Sequence, residues 1–291
     1  MNLFAYDFMI RAFIGAVITG LAAPAIGIYL VQRRLSLIGD GLGHVALTGV
    51  GLGLLTRTSP VFMAVLVAAV GAVAVELVRE RGKASGDVAL AILFYGGISG
   101  GVVLVNMSSA QSSRSLTSYL FGSPLTTSTG DLVVIGALGA VVLAIALLLR
   151  PWLFAVSHDE EYARVAGLPI RLLNITLAVV TAVTVTAAMR TVGLLLVSAL
   201  MVVPVATAQQ VTRGFNATMH LAMVLGVGAA VVGMVVSAQL DTASGATIVL
   251  LAIAAFIVVT IGAGAVRRGR AHPPVPAQPA EAEPHEVVLD R

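Results

Sequence analysis

The sequence contains no cysteine, which removes disulfides, thiolate metal sites and thiol catalysis together. Charge is scarce as well. Asp, Glu, Lys and Arg make up 11% of the residues, against roughly a quarter in a soluble domain. Aromatics amount to 5%, with a single tryptophan, so an aromatic cage for a bulky cargo has little to be built from. No G-x-x-x-x-G-K-[ST] loop occurs, and "RERGKASGD" (79–87) lacks both its spacing and a preceding strand, so the chain supplies no energy from nucleotide by itself. H-E-x-x-H and G-x-S-x-G are missing too, which leaves no hydrolase motif.

What is present is apolar. Hydrophobic residues form 58% of the 291, and the mean hydropathy is +1.00. Nine continuous apolar segments, near 8–31, 37–55, 60–78, 87–106, 130–149, 171–189, 191–209, 217–238 and 246–266, predict an all-α polytopic membrane protein with about nine transmembrane helices. Continuous runs, rather than alternating ones, exclude a barrel. The net charge of +3 sets orientation here and does not point to nucleic acid. Arg33, Arg34, Arg79, Arg81, Lys83, Arg150, Arg164, Arg171, Arg213, Arg267, Arg268 and Arg270 fall on one side, with only Arg57, Arg114 and Arg190 on the other. The positive-inside rule then places the N-terminus outside and the C-terminus in the cytoplasm. The first segment follows acidic Asp7 and has no charged start, so no cleavable signal is expected.

Residues 1–270 read as one transmembrane domain. The Pro- and Glu-rich stretch 271–291, with His272 and His285, reads as a disordered cytoplasmic tail. Between the fourth and fifth segments, Leu116, Tyr119 and Leu120 recur at helical spacing and fit either a short helix lying at the membrane surface or a packed surface loop. Small residues four apart (Gly39 and Gly43, Gly49 and Gly53, Gly96 and Gly100, Gly97 and Gly101) predict close helix packing.

Two stretches carry chemistry. In "RRLSLIGDGLGHVALTGVGLG" (33–53), Asp40 and His44 are four apart and project from one face of a helix. Ionisable groups inside a membrane face the bundle interior or a water-filled cavity. The pair reads either as two ligands for a divalent transition ion such as Zn²⁺ or Mn²⁺, or as a hydrogen-bonded couple at a helix start. Two ligands are too few for an interior metal site, and no other segment offers a comparable pair. A two-fold dimer would supply Asp40 and His44 twice, on its axis. Glu76 lies near Arg79 and Glu80 at a helix end, where snorkelling and local pairing account for it, and His158 reads as a loop residue. In "VSHDEEYARVAGLPI" (156–170), Ser157 with Glu160 matches a capping box, acidic residues fill the first turn, and Gly167 and Pro169 supply the stop. This predicts a short polar helix, either an ordered loop or a docking element.

In these features the sequence resembles the permease subunits of zinc/manganese/iron-type ABC importers. "RRLSLIGDGLGHVALTGVGLG" is similar to that family's most distinctive motif and "SHDEEYARVAGLP" to its coupling-helix segment. "TVGLLLVSALMVVPVATAQ" (191–209) and "SAQLDTASGATIVL" (237–250) resemble two further signatures, in the same order. The resemblance covers about residues 8–266. It implies a cobalamin-importer-like (type II ABC importer) permease in a bacterial inner or plasma membrane, acting as a homodimer around a central pathway. It also implies cytoplasmic ATP-binding subunits below and an extracytoplasmic metal-binding protein above, with no enzyme activity and no cofactor besides the transported ion. By the same resemblance, Asp40 and His44 of both protomers hold that ion. Ser157, Asp159, Glu160, Glu161, Ala163 and Gly167 belong to the helix that couples to the ATPase. Gly43 departs from the serine common there, which removes a contact next to His44 and no ligand.

Competing readings are a gradient-driven secondary transporter using Asp40 and His44 as a proton or cation relay, a permease for a chelated metal, and an intramembrane metalloenzyme. The second lacks an aromatic or Arg-lined cavity, and the third lacks a motif for a catalytic base.

Overall fold

Apolar runs of about twenty residues leave the backbone no partner but itself once water is excluded, so each closes into a helix. The computed structural model describes residues 7–80, 86–108, 118–122 and 128–269. Eleven helices run through them: α1 (Asp7–Gln32), α2 (Ile38–Leu55), α3 (Pro60–Glu80), α4 (Gly86–Met107), α5 (Thr129–Leu148), α6 (Arg150–His158), α7 (Glu160–Val165), α8 (Ile170–Ala188), α9 (Leu194–Val211), α10 (Phe215–Leu240) and α11 (Ser244–Gly269). Eight of these are long and apolar enough to cross a membrane. The remaining expected segment, 191–209, is α9. It starts three residues later than the sequence predicts, because Gly193 adopts φ +94° and turns the chain after α8. Its apolar stretch, Leu196–Val211, is shorter than that of the other eight. The tail 271–291 and Leu116 lie outside the described residues.

α1, α2 and α8 form the buried centre. α2 is wedged between α3 and α4 and touches α8 and α9, while α1 packs on α10, α9, α5 and α8. Lipid tails are as apolar as leucine, so association rests on close packing and hydrogen bonds between helices. Small residues provide the closeness. A Cβ on Gly226 would overlap the backbone of Gly20, so α1 and α10 cross almost backbone to backbone there. Hydrogen bonds complete the junctions. Tyr29 donates to the Ala146 carbonyl at 2.7 Å, and Thr19 and Thr191 share a bond of 3.2 Å. Within α8 the hydroxyls of Thr181 and Thr184 satisfy themselves on carbonyls one turn back.

Helix ends are closed with economy. At the end of α1 the Leu35 amide donates to the Leu30 carbonyl and the Arg34 amide to Val31, with Arg34 at φ 58°. That is a Schellman closure with arginine in the left-handed place where glycine is usual. α7 ends the same way: Leu168 bonds to Ala163, Gly167 bonds to Arg164, and Gly167 sits at φ +77°. The expected capping box at Ser157 and Glu160 is not formed. Asp159 is the N-cap, accepting the Tyr162 amide at 2.9 Å. Ser157 lies inside α6, buried and without a hydrogen-bond partner. The predicted single helix is therefore two, broken at extended Asp159. His158 ends α6 stacked on Phe154 at 5.5 Å, and is not in a loop.

Arg33, Arg79, Arg164 and Arg171 gather at one end of the bundle, where they meet Glu160, Glu76 and Glu80. At the other end Arg190 pairs with Asp131 and donates to the Tyr119 hydroxyl at 2.9 Å. Tyr119 belongs to a helical turn over 118–121, and its ring is buried against the body. This described part of the outer segment is tied to the body, as the packed alternative expects.

Candidate metal site and the groove beside it

The tight turn after Gln32 delivers the chain to α2 with Asp40 in its first turn and His44 one turn further on. The pair faces α4, and the close approach of the two helices depends on glycine. A Cβ on Gly97 would stand 2.6 Å from the His44 carbonyl carbon. Thr48 donates to the Gly97 carbonyl at 2.7 Å and locks the register. Gly101 meets Leu47 in the same seam, while Gly49 and Gly53 meet Ala64 and Pro60 of α3. The predicted small-residue spacing is therefore helix packing on two sides of α2 at Gly49, Gly53, Gly97 and Gly101, whereas a Cβ on Gly96 would meet nothing within 4 Å. Gly43 points elsewhere, toward Leu194 and Val185 at 3.5 Å, an ordinary contact distance for an added Cβ. The departure from serine leaves the Asp40–His44 side unchanged.

His44 is 3% exposed, its ring edge-on to Phe94 with centroids 4.1 Å apart. Its Nδ1 has no hydrogen-bond partner among the described residues. Nε2 stands 3.9 Å from Asp40 Oδ1, too far for a hydrogen bond. The two are therefore not hydrogen-bonded to each other in this arrangement. One cation held by both at about 2.1 Å would bring oxygen and nitrogen to about 3.4 Å in a tetrahedral site, a small rotamer adjustment away.

The Asp40 side chain is 30% exposed and lines an open groove of about 340 Å³ with Leu37, Leu90, Ala91, Phe94 and Tyr95. Leu37, Ile92 and Tyr95 around it are two-thirds exposed. Among the described residues, no three or more His, Asp or Glu side chains come together as a metal cage. The groove thus presents one carboxylate in an apolar surround, at the margin of the single chain, with the His44 imidazole buried behind it.

At the other functional stretch, Glu161, Tyr162, Arg164, Val165 and Gly167 are exposed, as is Asp159, whereas Ala163 and Ser157 face the body. Glu160 is turned inward, to Arg33 at 2.9 Å. No local sequence pattern points to this last contact. Arg33 also donates to Asn174 at 2.7 Å. Glu76, read as a snorkelling residue, is 4% exposed and bonded to Arg79 at 3.2 Å: the local pairing stands and the snorkelling does not.

Residues 5–263 match the family described as the ABC 3 transport family. The chain belongs to that family. As an ABC 3 member it is a multi-pass membrane permease and not an enzyme. Similar proteins include the manganese transport system membrane protein MntC of Halalkalibacterium halodurans, 31% identical over 251 residues that cover 86% of this chain and 86% of that one. The chelated iron transport system membrane protein YfeD of Yersinia pestis is 31% identical over 258 residues, covering 89% of this chain and 86% of its own. A structure of PsaBC from Streptococcus pneumoniae in complex with a Fab superposes with a TM-score of 0.81 at 27% identity, over 89% of this chain and 92% of that one. The all-helical architecture expected from the sequence is that of an ABC permease.

Proposed function

We propose that this ABC 3 permease carries divalent transition-metal ions inward as a homodimer, with ATP hydrolysed by separate cytoplasmic subunits and the ion handed over by an extracytoplasmic binding protein. The observation that carries the reading is the position of Asp40. A half-buried carboxylate in front of a buried imidazole, ringed by exposed apolar side chains, would face hydrocarbon if the chain stood alone. Such exposure is expensive enough that intramembrane carboxylates are covered by protein or water. A second copy meeting the first along this groove covers both carboxylates. It also supplies two oxygen and two nitrogen donors to one ion. The names of the manganese and chelated-iron relatives agree with a carboxylate and imidazole donor set free of thiolate, which accepts Mn²⁺, Fe²⁺ and Zn²⁺ alike.

Two negative charges neutralise the divalent ion, and two imidazoles replace part of its hydration, in a place where an unpaired ion would be prohibitively unstable. The exposed edge of α7, with Tyr162 and Val165, is the docking element for the ATP-binding subunit. Closure of the paired ATPases moves this helix, the bundle follows, and the ligands separate so that the ion leaves toward the arginine-rich end, which is the cytoplasmic face by the positive-inside rule.

The test is uptake of radioactive manganese into liposomes carrying the permease with its ATPase subunits and binding protein. The reading expects uptake that requires ATP and collapses in Asp40→Ala and His44→Ala while the dimer persists. Uptake driven by an ion gradient through the chain alone would instead establish the relay mechanism.

A further inference from the structure

Arg33 stands where four elements converge, and none of the roles assigned above uses it. It is the last residue of the α1 turn, its side chain is 9% exposed, and its fork is divided. One nitrogen donates to Asn174 Oδ1 of α8 at 2.7 Å and the other to Glu160 Oε2 of α7 at 2.9 Å. Burial, and next the Arg79 guanidinium, pull it below the ordinary arginine value, while Glu76 and Glu160 act in the opposite direction. Arg33 is thus held in a network reaching α3, α7 and α8, beside a polar cavity of about 420 Å³ lined by Glu76, Arg79, Glu160, Arg164, Arg171 and Asn174. Neighbouring Arg34 differs in kind: it is exposed and serves the backbone turn at φ 58°.

The connection to α2 is short and stiff. Between Arg33 and Ile38 the chain is fixed by the Leu35 to Leu30 bond at 2.8 Å and the Ile38 to Leu35 bond at 3.0 Å. Asp40 follows two residues into the helix. A displacement of Glu160 is therefore passed through a single charge-assisted hydrogen bond into the pivot on which the site helix starts. A lysine, with one point charge, would not span both acceptors.

We propose that Arg33 is the positioning residue that links the partner-facing helix α7 to the metal-site helix α2, so that motion imposed on α7 re-aims Asp40 and His44. This rests on the transport reading above. It predicts a defect in coupling: ATP is still hydrolysed, but less metal moves for each ATP.

The experiment uses the complete transporter, permease with ATPase subunits and binding protein, reconstituted in liposomes. Manganese uptake and ATP hydrolysis are measured together, and assembly is checked by size-exclusion chromatography. Arg33→Gln and Glu160→Gln are each expected to lower manganese moved per ATP by about tenfold, within the range of coupling energies, with assembly kept. The charge-swapped double variant Arg33→Glu with Glu160→Arg is expected to recover much of the ratio, which a merely structural defect would not allow. Should Arg33→Gln fail to assemble, Glu160→Gln and the swap carry the test. An unchanged ratio in Glu160→Gln, or a swap that recovers nothing, overturns the link. Wild-type complex that takes up no manganese with ATP overturns the transport reading itself, a separate outcome.

Discussion

At the scale of single residues, the site is a pair of donors whose positions are enforced by packing. His44 is held by the ring of Phe94 and by the bare backbone of Gly97, and Asp40 is left at the rim of a groove. Loss of either proposed ligand is expected to lower metal affinity by more than the roughly 10–100-fold typical of an outer-shell contact. Titration of the purified wild type, Asp40→Ala and His44→Ala with Mn²⁺ measures this directly. Gly97→Ala is expected to act through packing instead. The added methyl would meet the His44 backbone, at a cost of about 1–3 kcal/mol for forcing a close-packed seam apart, read as a lowered unfolding temperature in detergent. Gly43→Ser, by contrast, has room beside Leu194 and Val185 and is expected to leave both affinity and stability nearly unchanged.

Among the elements, α7 is the one whose design was half legible in the sequence. Gly167 and Pro169 announced its end, and the glycine duly takes the left-handed position. Its start was misread because Ser157 and Asp159 are both good caps, and only geometry decides between them. Asp159 takes the extended backbone and the Tyr162 amide, leaving Ser157 to be buried in α6. Asp159→Ala is therefore expected to weaken the helix by about 1 kcal/mol, seen as several-fold faster amide exchange confined to 160–167, whereas Ser157→Ala should leave that exchange unaltered. Ala166→Pro removes the amide that bonds to Tyr162 at 2.9 Å and is expected to uncouple or detach the ATPase, as judged by co-purification. The partners of Arg33 could not be read from sequence. Its acceptors lie 127 and 141 residues away, and local pattern carries no information about which helix ends meet.

Over the whole molecule, hydropathy alone was enough to locate the crossing helices, because lipid forbids any other arrangement of an apolar backbone. The exception, α9, is instructive: the residues 191–193 are apolar enough to count, yet Gly193 spends them on a turn. That turn also brings together two stretches far apart in the chain, since Gly245 packs against the Val192 backbone, a contact between the third and fourth sequence motifs that pattern alone does not disclose. The cysteine-free sequence makes the proposed orientation simple to test. A single Thr58→Cys is expected to react with a membrane-impermeant maleimide on intact cells, and Arg164→Cys only after the membrane is opened. The central claim is that one ion is shared by two chains, and counting metal by mass spectrometry on the purified dimer tests it most directly. The account predicts one manganese per two chains, lost in both Asp40→Ala and His44→Ala. One ion per chain, or a count undisturbed by those substitutions, would contradict it.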